Sequence, residues 1–382
     1  MSTTESVDAV TAAKDWLAAN WDPDLTVGEW WERFGTAGWA APMLPESAYG
    51  KGLSRAEVVR VQEAVAEFGA LPAPGGLGLL LAAPTIATHG TPEQIERYVR
   101  AIVTGQEAWC QLFSEPGAGS DLAGLSTKAE KDGDEWIITG QKVWTSGGQI
   151  ADMGMLLART NPDAPKHQGI TYFAFDMKQP GVEVRPLREM TGRALFNEVF
   201  INEARVPDSA IIGGLNNGWA VANTTLMFER AGLGAGGGSA AASTAIPGTI
   251  AGDLDKRVGD LVTGRARGGS GGPGGMSGTY KLLSGLAQQT GANKDPGVRQ
   301  DLATLYSLTE IARYMGLRQK ALRESGGDIP GQGNIAKLSM SIILRLSRDL
   351  GLRILGPRGM LHGYDAAGNE SLEGLPGGGL GG

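Results

Sequence analysis

Between residues 108 and 206 the sequence abandons helical periodicity. It runs instead through short stretches rich in β-branched and aromatic residues, EWIITG, MGMLLART, GITYFAFDM, VEVRPL and NEVFINEARV, set apart by Gly, Pro, Asn and Asp. Such stretches read as antiparallel strands joined by turns, the first of them following a turn at Lys131-Asp132-Gly133-Asp134. On both sides the pattern is helical. Val58, Val61, Val65 and Phe68 recur at the 3-4-3 spacing of one buried helix face, and Thr91-Pro92-Glu93 is a helix start with an N-cap and a first-turn proline. LPAPGG at 71–76 punctuates this block. After Asn216-Asn217-Gly218, Leu305, Leu308, Ala312 and Met315 give another 3-4-3 stripe, and Leu338, Ile342, Leu346 and Leu350 a four-residue stripe, as in an antiparallel helical bundle. The expected fold is α+β: an N-terminal helical domain (1–107), a middle antiparallel β domain (108–210) and a C-terminal helical bundle (211–382).

Composition narrows the function classes. A chain of 382 residues exceeds one ordinary core, and 41% hydrophobic with 20% charged residues describes a soluble globular protein. A net charge of −7 argues against a nucleic-acid binder, which needs a basic face. The lone Cys110 excludes an internal disulfide and fits a reducing compartment. The N-terminus lacks a signal pattern and no run reaches the roughly 18 apolar residues of a membrane span, so a cytoplasmic protein without a membrane span is expected. His89, His167 and His362 are scattered, so no metal site is expected; His89, in THGTPEQ, reads as a helix–helix junction. Gly232-Leu-Gly-Ala-Gly-Gly follows a helix and not a strand, which removes a dinucleotide reading. The 60 glycines concentrate at 232–238, 264–278 and 374–382, the middle cluster reading as a surface loop.

Two motifs carry chemistry. SEPGAGSD (114–121) sets a hydroxyl, a proline-fixed turn and glycines together, and free amides in such a turn can cradle an anion. TGQKVWTSGG (139–148) ends a strand-like run with Trp144, Thr145 and Ser146. A tight capped turn alone would explain either motif. As a pair they describe two walls of one pocket, a polar lip for a phosphate-bearing cofactor and a flat aromatic for a ring system.

The block order, SEPGAGSD, DGDEWIITGQKVWTSGG, PGVEVRPLREMTGR and FNEVFINEARVP resemble the acyl-CoA dehydrogenase family over residues 30 to 365. The resemblance implies an N-terminal helical domain, a middle β domain and a C-terminal four-helix bundle, with FAD as cofactor. It also implies desaturation of acyl-CoA thioesters, in lipid and fatty acid metabolism. It assigns Gln111, Phe113, Ser114, Gly119, Ser120, Trp144, Thr145 and Ser146 to the cofactor, with Ser120 also meeting the CoA portion of the substrate. A carboxylate must take the α proton while the β hydride leaves to the flavin. In a subset of the family that base lies on the first bundle helix just before an arginine, which here is Glu229 with Arg230 bracing the substrate site. Implied partners are the acyl-CoA, an electron-transfer flavoprotein or similar acceptor, and a homo-tetramer or a hetero-oligomer with a paralogue.

Two departures stand out. The family's Arg-x-Phe-Gly element is replaced by GDLDKRVGDLVTGRARGGSGG. The chain also ends at LEGLPGGGLGG, where the family continues into a Tyr-x-Gly-Thr segment that covers the flavin. The resemblance therefore also implies an alternative, a structural subunit completed by a paired paralogue; an acyl-CoA oxidase shares the same fold. Small residues after Glu229 (Ala231, Gly232, Gly234, Ala235, Gly236) would leave room for a bulky acyl chain.

Overall fold

Capping boxes fix the starts of the N-terminal helices. Thr26 Oγ1 accepts from the Glu29 amide at 3.2 Å and Glu29 Oε2 from the Thr26 amide at 2.9 Å, and Ser54 with Glu57 repeats the arrangement. In the computed structural model, which describes residues 8–190, 192, 194–234, 252–262, 276–325, 327 and 331–361, these caps open α2 (Val27–Thr36) and α3 (Arg55–Phe68) after α1 (Ala9–Asn20). Trp30 and Trp31 are buried, and their Nε1 atoms donate to the Leu71 and Pro72 carbonyls at 2.8 Å, which pins the LPAPGG loop. Val61 and Val65 face the core with Ala64, but Phe68 is 40% exposed: α3 ends there at Gly69 (φ 83°), past its packed face. A π-helical turn, Gly78–Ala82, leads into α4 (Ala83–His89). Thr91 then caps the next helix, α5 (92–103), with Pro92 in its first turn.

The sheet has eight strands in the order β6-β7-β3-β2-β4-β5-β8, with β1 also pairing β4. They are β1 Trp109–Leu112, β2 Lys128–Asp132, β3 Glu135–Ser146, β4 Met153–Arg159, β5 Ile170–Asp176, β6 Val182–Leu187, β7 Phe196–Pro207 and β8 Ile211–Ile212. Hairpin β2–β3 turns at Gly133 (φ 61°), as the KDGD turn predicts. The expectation of a wholly antiparallel domain needs correction at β4. Strand β1 runs parallel to it, from Trp109↔Met153 to Leu112↔Leu156, and Lys128↔Arg159 joins β2 to it in the same sense. The β2–β3 hairpin lies between β1 and β4 in sequence, a crossover long enough to return the chain in the same direction.

The described residues form two compact units. The first holds the N-terminal helices, the sheet, α6 (Gly218–Gly234) through Leu233, and the segment 252–262. That segment docks on α2, Val27 and Gly28 donating to the Lys256 and Leu254 carbonyls at 2.9 Å. Cys110 is fully buried here, and burial pushes its thiol up to about 12, so it offers no nucleophile.

Among the described residues the second unit holds α7 (Met276–Thr290), α8 (Pro296–Glu324) and α9 (Gln332–Leu355), packed around Leu283, Leu286, Leu305, Ile343, Leu350 and Ile354. Leu308, Ala312 and Leu346 join this core as their stripes predict, but Leu338 and Ile342 are exposed. Steps of four residues drift about 40° around a helix of 3.6 residues per turn, so the early members of that stripe leave the packed face. No helix among the described residues is long and apolar enough to cross a membrane. Residues 235–251, most of 264–278 and the segment after Leu361 lie outside the described residues. With them lie the greater part of the glycine clusters, Ala235 and Gly236 of the small residues after Glu229, His362 and the LEGLPGGGLGG terminus.

Helix α6 is seated by side-chain hydroxyls. Thr225 Oγ1 meets Thr85 Oγ1 of α4 at 2.9 Å, and His89 Nε2 meets Thr224 Oγ1 at 2.8 Å, so His89 does sit at a helix–helix junction. Burial draws the His89 imidazole below its ordinary range. At the helix start Gly218 presses on β5: a Cβ there would stand 2.6–2.8 Å from backbone atoms of Thr171 and Tyr172. Gly218→Ala is therefore expected to lift α6 from the sheet at a cost of about 1–3 kcal/mol. Thermal unfolding measures this, and an unchanged melting temperature would refute the close packing.

Candidate functional site

The SEPGAGSD motif folds as a tight turn on a buried foundation. Glu115 and Ala118 exchange backbone hydrogen bonds of 3.0 and 3.1 Å, which thrusts Pro116 and Gly117 outward, with Gly119 and Ser120 exposed beyond them. A Cβ at Gly117 or Gly119 would meet nothing within 4 Å, so this lip is open. Asp121, at its end, is tied to Lys166 Nζ at 2.7 and 2.9 Å.

Beneath the lip the Glu115 side chain turns inward. Its carboxylate accepts from the Ser126 amide at 2.6 Å, the Ser126 hydroxyl at 2.8 Å, the Thr127 amide at 2.9 Å and Lys142 Nζ at 2.8 Å. Lys142 Nζ also donates to the Phe113 carbonyl at 3.2 Å, and the two side chains are 0% and 3% exposed. Burial pushes the Glu115 carboxyl up, but the Lys142 charge and the hydrogen bonds outweigh it and hold the group at about 2. Burial draws the Lys142 ammonium down to about 8 against the opposing pull of Glu115, so the pair is charged at neutral pH.

Lys142 belongs to β3, and its neighbour Val143 donates to the Ser114 carbonyl at 2.9 Å. The two motifs are thus stitched together directly. One residue further on, Trp144 stands in the left-handed region at φ 61°, where the β3–β7 register jumps, and its ring is 62% exposed with Phe196 edge-on at 6.0 Å. A bulky residue at positive φ is a strained outlier, and such strain concentrates at functional sites. Ser146 is half-buried.

Thr145 departs from its expected place at the cofactor. Its side chain is fully enclosed, its hydroxyl has no partner, and its carbonyl accepts from Asn197 Nδ2 at 2.9 Å. It anchors the wall and presents no surface to a ligand. Phe113 is likewise buried, edge-on to Tyr172.

Gln111, on β1, and Glu229, on α6, are brought together across the first unit. Gln111 Nε2 lies 3.5 Å from Glu229 Oε2, at the outer limit of a hydrogen bond, and both side chains are half-buried. Arg230 is exposed, and as the next residue on a helix it points away from Glu229. Sequence reasoning missed the Glu115–Lys142 pair and Asn197. A lysine at an inward position of β3 was the available signal, since a buried charge requires a partner.

The family model of the acyl-CoA dehydrogenase N-terminal domain matches residues 5–106, and that of the middle domain matches residues 110–203. Over 331 residues the chain is 34% identical to acyl-CoA dehydrogenase IpdE1 of Mycobacterium tuberculosis, covering 87% of this chain and 76% of that protein. The chain belongs to the acyl-CoA dehydrogenase family. The family comprises FAD-dependent oxidoreductases. Acyl-CoA dehydrogenase FadE34 of the same organism is 53% identical over 199 residues, which are 52% of this chain but only 28% of FadE34. Among solved structures, the Tcur3481-Tcur3483 steroid ACAD superposes with a TM-score of 0.67 at 26% identity, covering 96% of this chain and 89% of that one.

The buried pair yields a stability prediction. With its folded carboxyl held near 2 against an ordinary 4.5, Glu115 contributes fully above about pH 4.5 and loses that contribution as the pH falls toward 2. Lys142→Met strands a buried carboxylate, so it is expected to cost about 3–5 kcal/mol at neutral pH and to start acid unfolding at a higher pH. Urea unfolding across a pH series checks both; an unshifted acid limb would mean that Lys142 does not hold the carboxyl down.

Proposed function

We propose that this chain carries out FAD-dependent α,β-desaturation of an acyl-CoA thioester, with Glu229 as the base that takes the α proton. The contact between Glu229 Oε2 and Gln111 Nε2 carries this reading, because it sets a carboxylate beside the strand that runs directly into Phe113 and Ser114. The lip and the aromatic suit the cofactor: Gly119 is open to a close-approaching group, and Trp144 offers a bare ring face. Gln111, Phe113, Ser114, Gly119, Ser120, Trp144 and Ser146 would hold FAD, with Thr145 acting through the wall. When bound, FAD supplies the acceptor for the β hydride.

The remaining steps belong to the chain. Gln111 orients the Glu229 carboxylate, which removes the α proton, and proton transfer to a positioned base contributes about 10²–10⁴-fold. Ser120, exposed on the lip, meets the CoA portion, and Arg230 braces the substrate site. Division into domains at 1–107, 108–210 and 211–382 belongs to the same reading, as does an electron-transfer flavoprotein as acceptor. Assembly with a second, unlike chain of the family is favoured over a homo-tetramer by the steroid ACAD relative, whose name joins two components.

Glu229→Gln is expected to retain the yellow flavin and to lose anaerobic bleaching by acyl-CoA by about 10²–10⁴-fold in rate. Visible spectra of the purified chain, alone and with a paralogous subunit, test this. Bleaching that survives the substitution excludes Glu229 as the base, and peroxide formation in air would mark an oxidase.

A further inference from the structure

Three hydroxyl side chains meet in the core of the first unit. Thr85 on α4, Tyr172 on β5 and Thr225 on α6 are all 0% exposed. Thr225 Oγ1 stands 2.9 Å from Thr85 Oγ1 and 3.4 Å from the Tyr172 hydroxyl, and it also reaches the Val221 carbonyl of its own helix at 3.3 Å. Burying a hydroxyl carries a desolvation cost, and Val, Phe and Val would fill the same space without it. Packing alone does not account for three hydroxyls here.

What hydroxyls add is direction. Apolar attraction is non-directional, whereas a hydrogen bond weakens steeply as its angle closes. The neighbouring Thr224 is held as well, by His89 Nε2 at 2.8 Å. Thr85 and His89 lie one turn apart on α4, while Thr224 and Thr225 project about 100° apart around α6. Helix α4 therefore grips α6 from two directions, and rotation of α6 strains at least one of the two contacts.

That rotation decides where the carboxylate of Glu229 goes. Glu229 lies one turn beyond Thr225 on the same helix face. The sheet offers both a partner on one side: Gln111 is opposite Met155, Met155 is opposite Ala174, and Ala174 is two residues from Tyr172. Tyr172 thus meets Thr225 while Gln111 meets Glu229. Gln111 orients the carboxylate, but at 3.5 Å it does not hold the helix. A turn of α6 by about 20° would carry its side-chain tips about 2 Å, and a misplacement of about 1 Å can cost about 10²-fold in rate.

We propose that Thr225, with Thr85 and Tyr172 as its partners, is a positioning residue for the reaction: the three hydroxyls set the rotation of α6 and act on catalysis only through Glu229. The inference rests on the reading of Glu229 as the base. Its test uses FAD-loaded protein and whichever thioester bleaches it fastest in a panel of straight-chain, branched and ring-bearing acyl-CoAs. Thr225→Val keeps the shape and removes the hydroxyl. It is expected to slow anaerobic bleaching at saturation by about 10- to 100-fold, with flavin content and the half-saturating thioester concentration unchanged. Thr225→Ser is expected to recover most of the rate.

The variant that separates direction from stability carries Thr85→Val, Tyr172→Phe and Thr225→Val together. It leaves none of the three hydroxyls stranded, so its melting temperature is expected to match the parent's while its rate stays low. A rate that recovers with the melting temperature overturns the inference, as does a Thr225→Val protein that bleaches at the parent rate or a Thr225→Ser protein as slow as Thr225→Val. In Glu229→Gln protein, adding Thr225→Val is expected to slow the residual rate no further, and additive losses would also overturn it. Undiminished bleaching of the Glu229→Gln protein itself would instead refute the base assignment.

Discussion

The buried ion pair of Glu115 and Lys142 is the contact on which the rest of the site depends. It gathers the outward turn at 115–118, the loop amides at 126 and 127, the end of β1 through the Phe113 carbonyl, and β3 itself. Taking two charges out of water costs several kcal/mol per ion, and the carboxylate recovers this only because amides and a hydroxyl satisfy its other lone pairs. What the pair provides is position. With its base locked, the lip can leave Gly117 and Gly119 exposed and uncovered, and Trp144 can be held in a conformation that the strand would otherwise relax.

Orientation of the carboxylate on α6 follows a different logic, directional bonding on one helix face. Thr225 and Glu229 are one turn apart and therefore lie on the same side. The first is bonded to Thr85 and approaches Tyr172, and the second reaches Gln111. Apolar packing by Val221 and Ala222 would hold the helix near the sheet but would leave its rotation soft. Hydroxyl contacts fix that rotation, so the side chain at 229 is aimed by the one at 225.

Much of this was legible in the sequence, for reasons that can be named. Strands β4 and β5 are predominantly apolar runs and β7 alternates, so each follows from its own residues. The cap at Thr91 and the turn at Gly133 are local signals that need no tertiary knowledge. Features that failed to show depend on what comes from elsewhere in the chain. The parallel entry of β1 is set by where the chain returns, not by anything in WCQL. Phe68, Leu338 and Ile342 satisfied a spacing rule but fall where a helix stops or its packed face has rotated away. Thr145 sits in a motif whose alternation had already been broken by the left-handed Trp144, so its place in the sequence did not reveal that it points inward.

The pairing of β1 with β4 gives that short strand the role of a ruler. Only four residues long, it is held in register from Trp109↔Met153 to Leu112↔Leu156, and it carries Gln111 beside the candidate base and, on the same face, the buried Trp109. A slip of one residue would turn both inward faces over together, presenting Cys110 and Leu112 in their place. The placing of Gln111 against Glu229 and the burial of Trp109 are therefore not independent features of this fold. They are two readings from a single strand, and drift in its register would change both at once.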